Sequence, residues 1–299
     1  MQVCGQSKSF CRFFSLQVAA MLSMGTLLLL SASCGGGAST ASAPAQTPDP
    51  APAQAPGTGS SPSGGSSSGS GAGSSSSPVP PGAVTNADIQ TLPGWQWCTA
   101  KLNGKPCASG LGNATSSITQ NQQTPSLSGK SSQFTLGGHH QYSNALWWKS
   151  FGANTAPTHF VYDLYFYMDD PSAPEALEFD INQSMNDVRY TWGTECSYRN
   201  TGKWDIWDPQ HLTWVTTDVP CPVVSAKTWH HLTWQVERVN DQVHYISVTL
   251  DDNVMPVDKY YNPQPNYAGS DVNVAFQMDG DYRQDPYSVW LDNVSLSSW

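Results

Sequence analysis

Residues 176–183 read Ala-Leu-Glu-Phe-Asp-Ile-Asn-Gln, and this alternation of apolar and polar side chains decides the fold class. Successive side chains of a strand point to opposite faces of its sheet, so the run predicts a strand whose apolar members pack in a core. Its polar members then share the other face: Glu178, Asp180 and Asn182. Carboxylates are costly to bury without a partner, so this row indicates a face that meets solvent, a sugar or a metal ion.

Strand signals recur on both sides of this run, whereas helical periodicity is nearly absent. Aromatic and β-branched runs separated by Gly, Pro, Asn and Asp turns predict an all-β domain over residues 84–299, either a sandwich or a barrel. Two stacked antiparallel sheets would leave one curved sheet facing solvent. We predict strands over residues 134–136, 159–168, 177–183, 189–193, 229–239, 242–251, 272–278 and 287–296.

The N-terminus has the pattern of an export signal. Residues 1–33 carry Lys8 and Arg12, no acid, and an apolar run that ends in four leucines. The residues that follow resemble a bacterial lipoprotein signal, which implies that Cys34 is lipidated and holds the protein at the cell envelope. Ser31 occupies the position where such signals usually have Leu. The alternative is a plain secreted protein cleaved near Ala32 or Cys34.

A low-complexity segment separates this signal from the domain. Residues 34–83 are almost entirely Gly, Ser, Ala, Pro, Thr and Gln, so we expect a disordered tether. The whole chain has a formal net charge of −10. Removing Lys8 and Arg12 with the signal makes the remainder more acidic still. That charge argues against nucleic acid as a partner and suits a neutral glycan or a cation. We further expect a monomer that meets the membrane only through its lipid.

Four cysteines fall inside the domain, namely Cys98, Cys107, Cys196 and Cys221. An even number in an exported domain predicts two disulfides, and three pairings are possible. We favour Cys98–Cys107 and Cys196–Cys221, because each closes a local loop. A zinc site is not favoured, since no pair has the C-x-x-C spacing.

Aromatic side chains are the second signal of function. Sugar rings stack on flat aromatic faces, although aromatics also suit strands and cores. We expect three of them to line a cleft: Trp192, Trp204 and Trp207. The alternation in residues 276–279 predicts that Gln277 and Asp279 face outward beside the Glu178 strand, where they could add hydrogen-bonding groups.

Several segments together resemble the concanavalin A-like lectin and glucanase jelly roll. The Glu-Phe-Asp-Ile run at 178–181 resembles the E-x-D-x strand of family 16 glycoside hydrolases, and residues 229–236 resemble the W-H-x strand that follows it there. Residues 289–296 resemble the closing strand of such domains. The resemblance implies a two-sheet antiparallel jelly-roll sandwich. It also implies Glu178 as a nucleophile, with Asp180 in support.

The chain departs from family 16 at one important place. Where the family has a second glutamate as general acid, this sequence has Asn182 and Gln183, which exchange no protons at neutral pH. Glu195, Asp205 or Asp279 could replace that acid. The fold often binds a structural calcium, so acidic turns at 169–170, 251–252 and 279–281 are candidate ligands; we expect no other cofactor.

Three hypotheses follow for the function. The first is a tethered protein that binds polysaccharide on the curved sheet, where the three tryptophans stack on sugar rings and four polar side chains bond the hydroxyls: Glu178, Asp180, Asn182 and Gln277. The second is a divergent glycoside hydrolase or polysaccharide lyase that uses Glu178 and Asp180. The third is an adhesion or structural domain. A second carboxyl group within about 5–6 Å of Glu178 in an open cleft would favour the enzyme.

Overall fold

The computed structural model describes residues 79–102, 105–108 and 110–299. The predicted signal, Cys34 and the tether up to residue 78 lie outside these residues. Within the described part there is no α-helix, only a 3-10 turn over Ile89–Thr91. No helix there is long and apolar enough to cross a membrane.

The strands follow one another in chain order. They are β1 (Val84–Asn86), β2 (Gln96–Cys98), β3 (Lys101–Leu102), β4 (Lys105–Pro106), β5 (Thr115–Gln122), β6 (Ser131–Gly137), β7 (Asn144–Ser150), β8 (His159–Met168), β9 (Pro174–Met185), β10 (Val188–Trp192), β11 (Thr194–Ser197), β12 (Lys203–Asp208), β13 (Thr213–Pro220), β14 (Trp229–Val239), β15 (Gln242–Leu250), β16 (Asn253–Tyr261), β17 (Gln264–Pro265), β18 (Asp271–Gly280) and β19 (Tyr287–Ser298).

These strands form two antiparallel sheets stacked as a jelly-roll sandwich, which confirms the predicted fold class. Sheet A has the order β16-β15-β14-β8-β19-β6-β5, with β1 added beside β19. Sheet B has the order β13-β12-β11-β9-β18-β7-β2, and β10 pairs with both β9 and β17. The short strands β3 and β4 pair with each other. Strand β9, which contains residues 176–183, lies in the middle of sheet B, between β11 and β18.

The core lies between the two sheets and is rich in aromatic rings. The inner faces of both sheets contribute to it, as the alternation in β9 predicted: Leu177, Phe179 and Ile181 are all buried there. Many rings meet edge to face, for example Trp204 and Trp234 with centroids 5.2 Å apart. Burial of such large rings is the main stabilising contribution that this fold has.

One tyrosine of sheet A reaches across the core to sheet B. The buried Tyr245 hydroxyl on β15 lies 2.9 Å from the carbonyl oxygen of Trp207 and 3.1 Å from that of Gly193. Burial raises the pKa of Tyr245 well above its usual value, so the hydroxyl keeps its proton and donates it. The edge of sheet B that carries Trp207 is therefore hydrogen-bonded to the opposite sheet.

Both predicted disulfides are present, Cys98–Cys107 and Cys196–Cys221, so the favoured pairing is confirmed. They have different surroundings. Cys196 and Cys221 belong to the main core, whereas Cys98 and Cys107 pack with Trp148 and Ala275 in a separate small cluster.

Candidate functional site

A cleft lies over the outer face of sheet B, and the polar row of β9 forms its floor. Two adjacent cavities make up this sheet B cleft, enclosing about 890 and 810 Å³ of space with open solvent included. Glu178 and Trp214 line both of them. Asp180, Asn182 and Gln277 line the first cavity, and Asp279 lines the second, so the predicted polar residues are brought together.

The register of sheet B places several carboxyl groups side by side across the strands. Glu195 on β11 is the direct antiparallel partner of Glu178 on β9. Asp205 on β12 is in turn the partner of Glu195, and Gln277 on β18 flanks Glu178 on the other side. Directly opposed residues in an antiparallel pair have Cβ atoms about 4.5–5.5 Å apart. The carboxyl groups of Glu178 and Glu195 are therefore near neighbours.

A fourth carboxyl group joins this cluster from β18. The Gln277 amide nitrogen donates a hydrogen bond to Glu178 and another, 3.0 Å long, to Asp279. Glu178 and Asp279 therefore accept from the same amide and lie close enough for each to raise the other's cost of ionising. Because two buried carboxylates this close repel each other, the arrangement favours one proton on the pair.

Burial and mutual repulsion control the protonation of the cluster. Burial, followed by the charges of Asp279, Asp180 and Glu195, raises the pKa of Glu178 well above its usual value. Burial likewise raises the pKa of Asp180 to about 7 and that of Asp279 to about 7. For Glu195, burial and the neighbouring Asp279 and Asp205 raise the pKa to about 9. Such shifts are typical of sites that handle protons, although buried ionic networks also produce them.

Tryptophans from three strands, β7, β12 and β13, form the walls of the cleft. On one side, Trp148 of β7 packs with the Cys98–Cys107 disulfide. On the other, Trp207 and Trp214 meet edge to face with ring centroids 5.1 Å apart. Gly193 permits this second wall, since a Cβ atom there would come within 2.8 Å of the Trp207 side chain.

The end of the first cavity away from the carboxyl cluster has a different charge. There the Arg189 guanidinium donates to Asn182 Oδ1 over 2.8 Å and lies over the Tyr267 ring, 5.0 Å from its centroid. Asn182 donates in turn to Asn273. Asn182 is thus on the cleft floor as predicted, but its side chain is held by Arg189 and Asn273.

Two of the three tryptophans predicted for the cleft are in the core instead. Trp192 and Trp204 are fully buried between the sheets, and this corrects the prediction that they stack on sugars. Strand alternation is the reason: Trp204 and Trp207 are three residues apart on β12 and so face opposite sides. Trp192 is the register partner of the core residue Ile181, and its indole nitrogen donates across the core to the Glu237 carbonyl.

Sequence reasoning missed several cleft residues. In the pair Trp147-Trp148, strand alternation requires one ring to face outward, and that ring is Trp148. Trp214 could have been found from its pairing with Trp207 across the β12–β13 hairpin. Arg189 and Gln264 carried no local signal, because only the pairing of β10 with β17 brings them together.

Several of the expected calcium ligands have protein partners. Asp169 accepts hydrogen bonds from the backbone of Asp170 and Ser288, and Asp251 accepts from His230 and the His231 backbone. Asp281 pairs with two arginines, Arg199 and Arg283. Among the described residues, no group of three or more His, Cys, Asp or Glu side chains is arranged to hold a metal ion. Calcium binding stays a prediction.

Because of these raised pKa values, the free energy of unfolding depends on pH in a predictable direction. Unfolded carboxyl groups titrate near pH 4, so between that pH and about 9 the folded state retains protons that the unfolded state has lost. The free energy of unfolding should therefore decrease as pH rises from 5 to 9. Denaturant titrations across this range should show the decrease, and Glu195→Gln should flatten it. Asp218→Asn, at a fully exposed side chain, is the matched control. A wild-type free energy of unfolding that is constant or rises over this range would contradict the assignment.

Comparison with known proteins was made at the level of sequence and of structure. No protein-family model matches the sequence, and no curated protein matches it either. Among solved structures, the chain is similar to a carbohydrate-binding module of the β-sandwich superfamily, with 12% identity, a TM-score of 0.38 and coverage of 69% of this chain and 58% of the module's. An endo-β-1,4-glucuronan lyase from the fungus Trichoderma reesei gives 11% identity and a TM-score of 0.41, with coverage of 68% of this chain and 95% of the lyase chain. A carbohydrate esterase from a Shiga toxin-encoding bacteriophage gives 12% identity and a TM-score of 0.42, with coverage of 73% of this chain and 99% of the esterase chain. The chain thus spans just over half of the first of these structures.

Proposed function

We propose that the sheet B cleft binds a polysaccharide chain and hydrolyses its glycosidic bonds. The observation that carries this proposal is the direct cross-strand pairing of Glu178 with Glu195 on the cleft floor. A glycosidase that retains configuration needs two carboxyl groups about 5 Å apart, and opposed residues on neighbouring strands meet that spacing. The general acid absent from positions 182 and 183 is then supplied by the adjacent strand.

The chemical roles follow from the two environments. Glu195, whose pKa is raised to about 9, is protonated at neutral pH and suits the general acid that protonates the leaving oxygen. Glu178, ionised when the proton of the Glu178–Asp279 pair lies on Asp279, is the nucleophile that attacks the anomeric carbon and forms a glycosyl ester. Glu195, now a carboxylate, then takes a proton from the water that cleaves this ester.

The residues around Glu178 set its charge and position. The Gln277 amide donates to both Glu178 and Asp279, which favours one negative charge shared by this pair. Asp180 lies two residues along the same face and accepts a hydrogen bond from the Thr194 backbone, 3.2 Å long. Both contacts hold the carboxyl groups in place before a substrate arrives.

Substrate binding would use the walls and the floor together. Trp148, Trp207 and Trp214 offer flat apolar faces for sugar rings, while the floor offers amide and carboxyl groups for hydroxyls. This arrangement separates the proposal from the third hypothesis, a purely structural domain, which would not need clustered carboxyl groups.

Binding without cleavage is the second candidate. It is favoured by the residues at the family's usual acid position. Asn182 is held by its neighbours on the floor, and Gln183 points inward to bond the carbonyls of Asn154 and Pro157. Glu178 is also only 7% exposed. If no substrate is cleaved, the same cleft would serve as a glycan-binding site.

The cellular setting belongs to the same proposal. An exported protein lipidated at Cys34 and tethered by residues 34–83 would hold the sandwich away from the envelope as a monomer. Two disulfides support an oxidising compartment outside the cytoplasm. The acidic chain makes nucleic acid an unfavourable partner.

The test is release of reducing ends by the full-length protein from plant, algal and fungal polysaccharides. We expect release from at least one of them, with Glu195→Gln about 10²–10⁴-fold slower, the usual range for loss of a general acid. An aryl glycoside whose leaving group needs no protonation should restore much of the Glu195→Gln rate. The first product should keep the anomeric configuration, which NMR detects. If a folded sample releases nothing from any glycan, binding without cleavage becomes the working model.

A further inference from the structure

The end of the cleft opposite the carboxyl cluster contains an unsatisfied donor. Gln264 of β17 lines the first cavity and is 7% exposed, and its amide nitrogen has no hydrogen-bond partner among the described residues. Nearly all buried donors in folded proteins find an acceptor, so such a group calls for an explanation. Rotation about the last side-chain bond can turn this amide toward the cleft, where an acceptor on a ligand would satisfy it.

Gln264 does not stand alone at this end. It is the direct antiparallel partner of Arg189 on β10, so the two side chains share one face at neighbouring positions. Arg189 offers only donors, as does the unsatisfied end of Gln264. Among the described residues that line the cleft, Arg189 alone is basic. Two donor groups, one of them charged, match an oxygen-rich anion better than a hydroxyl, which needs an acceptor as well.

The pair lies toward the end of the cleft floor that is away from Glu178 and Glu195. Arg189 pairs with Ser184, which is six residues from Glu178 along β9. The guanidinium itself reaches Asn182, which is four residues from Glu178, a span of about 13 Å along the strand and longer than the Debye length of about 8 Å at physiological ionic strength. Asp180 is the member of the cluster nearest to Arg189, and the Arg189 charge acts to lower its pKa against the effect of burial. An anion beside Arg189 therefore meets a positive charge first, whereas one above Glu178 meets several carboxyl groups and no basic side chain of the described cleft lining.

From these contacts we infer that Arg189 and Gln264 form a subsite for an oxyanion substituent of the glycan, a carboxylate or a sulfate. This inference rests on the proposed glycan cleft and refines its substrate class. The bound chain presents uncharged sugar units to Glu178 and Glu195, and one acidic unit to Arg189. The difference in charge between the two ends of the cleft thus also fixes the direction in which the glycan lies.

Calorimetry on matched oligosaccharides tests the subsite. The probes are cellohexaose, xylohexaose and mannohexaose, each compared with the same chain bearing one terminal uronic acid and with the same chain bearing one terminal sulfate. The full-length protein should bind an acidic member about tenfold more tightly than its neutral parent, the effect of one charge-assisted hydrogen bond. The carboxylate and sulfate arms distinguish the two sources of the oxyanion.

Variants separate the subsite from general charge effects. Arg189→Gln should abolish the preference for the acidic member, and Gln264→Leu should reduce it while leaving Arg189 in place. Lys259→Gln removes one positive charge from an exposed position on sheet A and should leave the preference intact. Binding with equal affinity for neutral and acidic members, or a preference that survives Arg189→Gln, overturns the subsite alone. No binding of any probe counts against the glycan cleft itself and removes the subsite with it.

Discussion

Replacing Glu178 by Gln is expected to slow the release of reducing ends by about three orders of magnitude or more. This loss is at least as large as the typical loss when a proton-transferring group is removed. An amide forms no stable ester with the anomeric carbon, so the covalent step is lost. Glycan affinity should change little, because Gln has the size and shape of Glu and its side-chain oxygen can still accept from the Gln277 amide. Initial rates and calorimetric affinities on the same polysaccharide measure the two effects separately.

The control for this experiment is the folded state of the variant. Glu178→Gln removes a carboxyl group that is destabilised by burial, so its thermal midpoint should equal or exceed that of the wild type at pH 8. A folded variant with undiminished release would place the nucleophile elsewhere in the cluster, and Asp279 would then be the next residue to replace.

The second large effect distinguishes two tryptophans that the sequence presents as equivalent. Trp204→Ala should lower the free energy of unfolding by about 3–5 kcal/mol, because it empties a space in the core between the sheets. Stability totals for domains of this kind are about 5–15 kcal/mol, so the variant should be close to unfolding at body temperature. Trp207→Ala removes a partly exposed ring and should weaken glycan binding about tenfold or more with a much smaller loss of stability.

Urea denaturation and glycan affinity, measured on both variants, distinguish a core role for Trp204 from a binding role for Trp207. We expect Trp204→Phe to recover most of the lost stability, since it refills part of the space. A Trp207→Ala variant that loses as much stability as Trp204→Ala, yet binds glycan normally, would remove Trp207 from the cleft wall.

Much of the fold follows from local sequence pattern. Strands β8 and β14 were predicted with the bounds that the structure has, and the turn between β14 and β15 was expected at Asn240-Asp241. Long aromatic runs and strict alternation carry this information within one segment. The disulfides were predictable for the same reason, since each joins cysteines close in sequence.

The site was predictable only where one strand contains it. The face of Glu178, Asp180 and Asn182 follows from alternation along β9. The pairing of Glu178 with Glu195 and that of Arg189 with Gln264 depend on the register between strands, which no local pattern encodes. For Trp192 and Trp204, composition favoured a cleft, whereas counting residues along each strand would have placed both rings in the core.

The Tyr245 hydroxyl that bonds the carbonyls of Trp207 and Gly193 has a consequence for variation in this protein. The spacing between the cleft wall and its floor depends on a side chain that is buried in the core, on a strand of the other sheet. Substitutions around Tyr245 could therefore shift glycan preference without altering any residue in the cleft. A search for altered specificity that samples only the exposed groove would overlook this route.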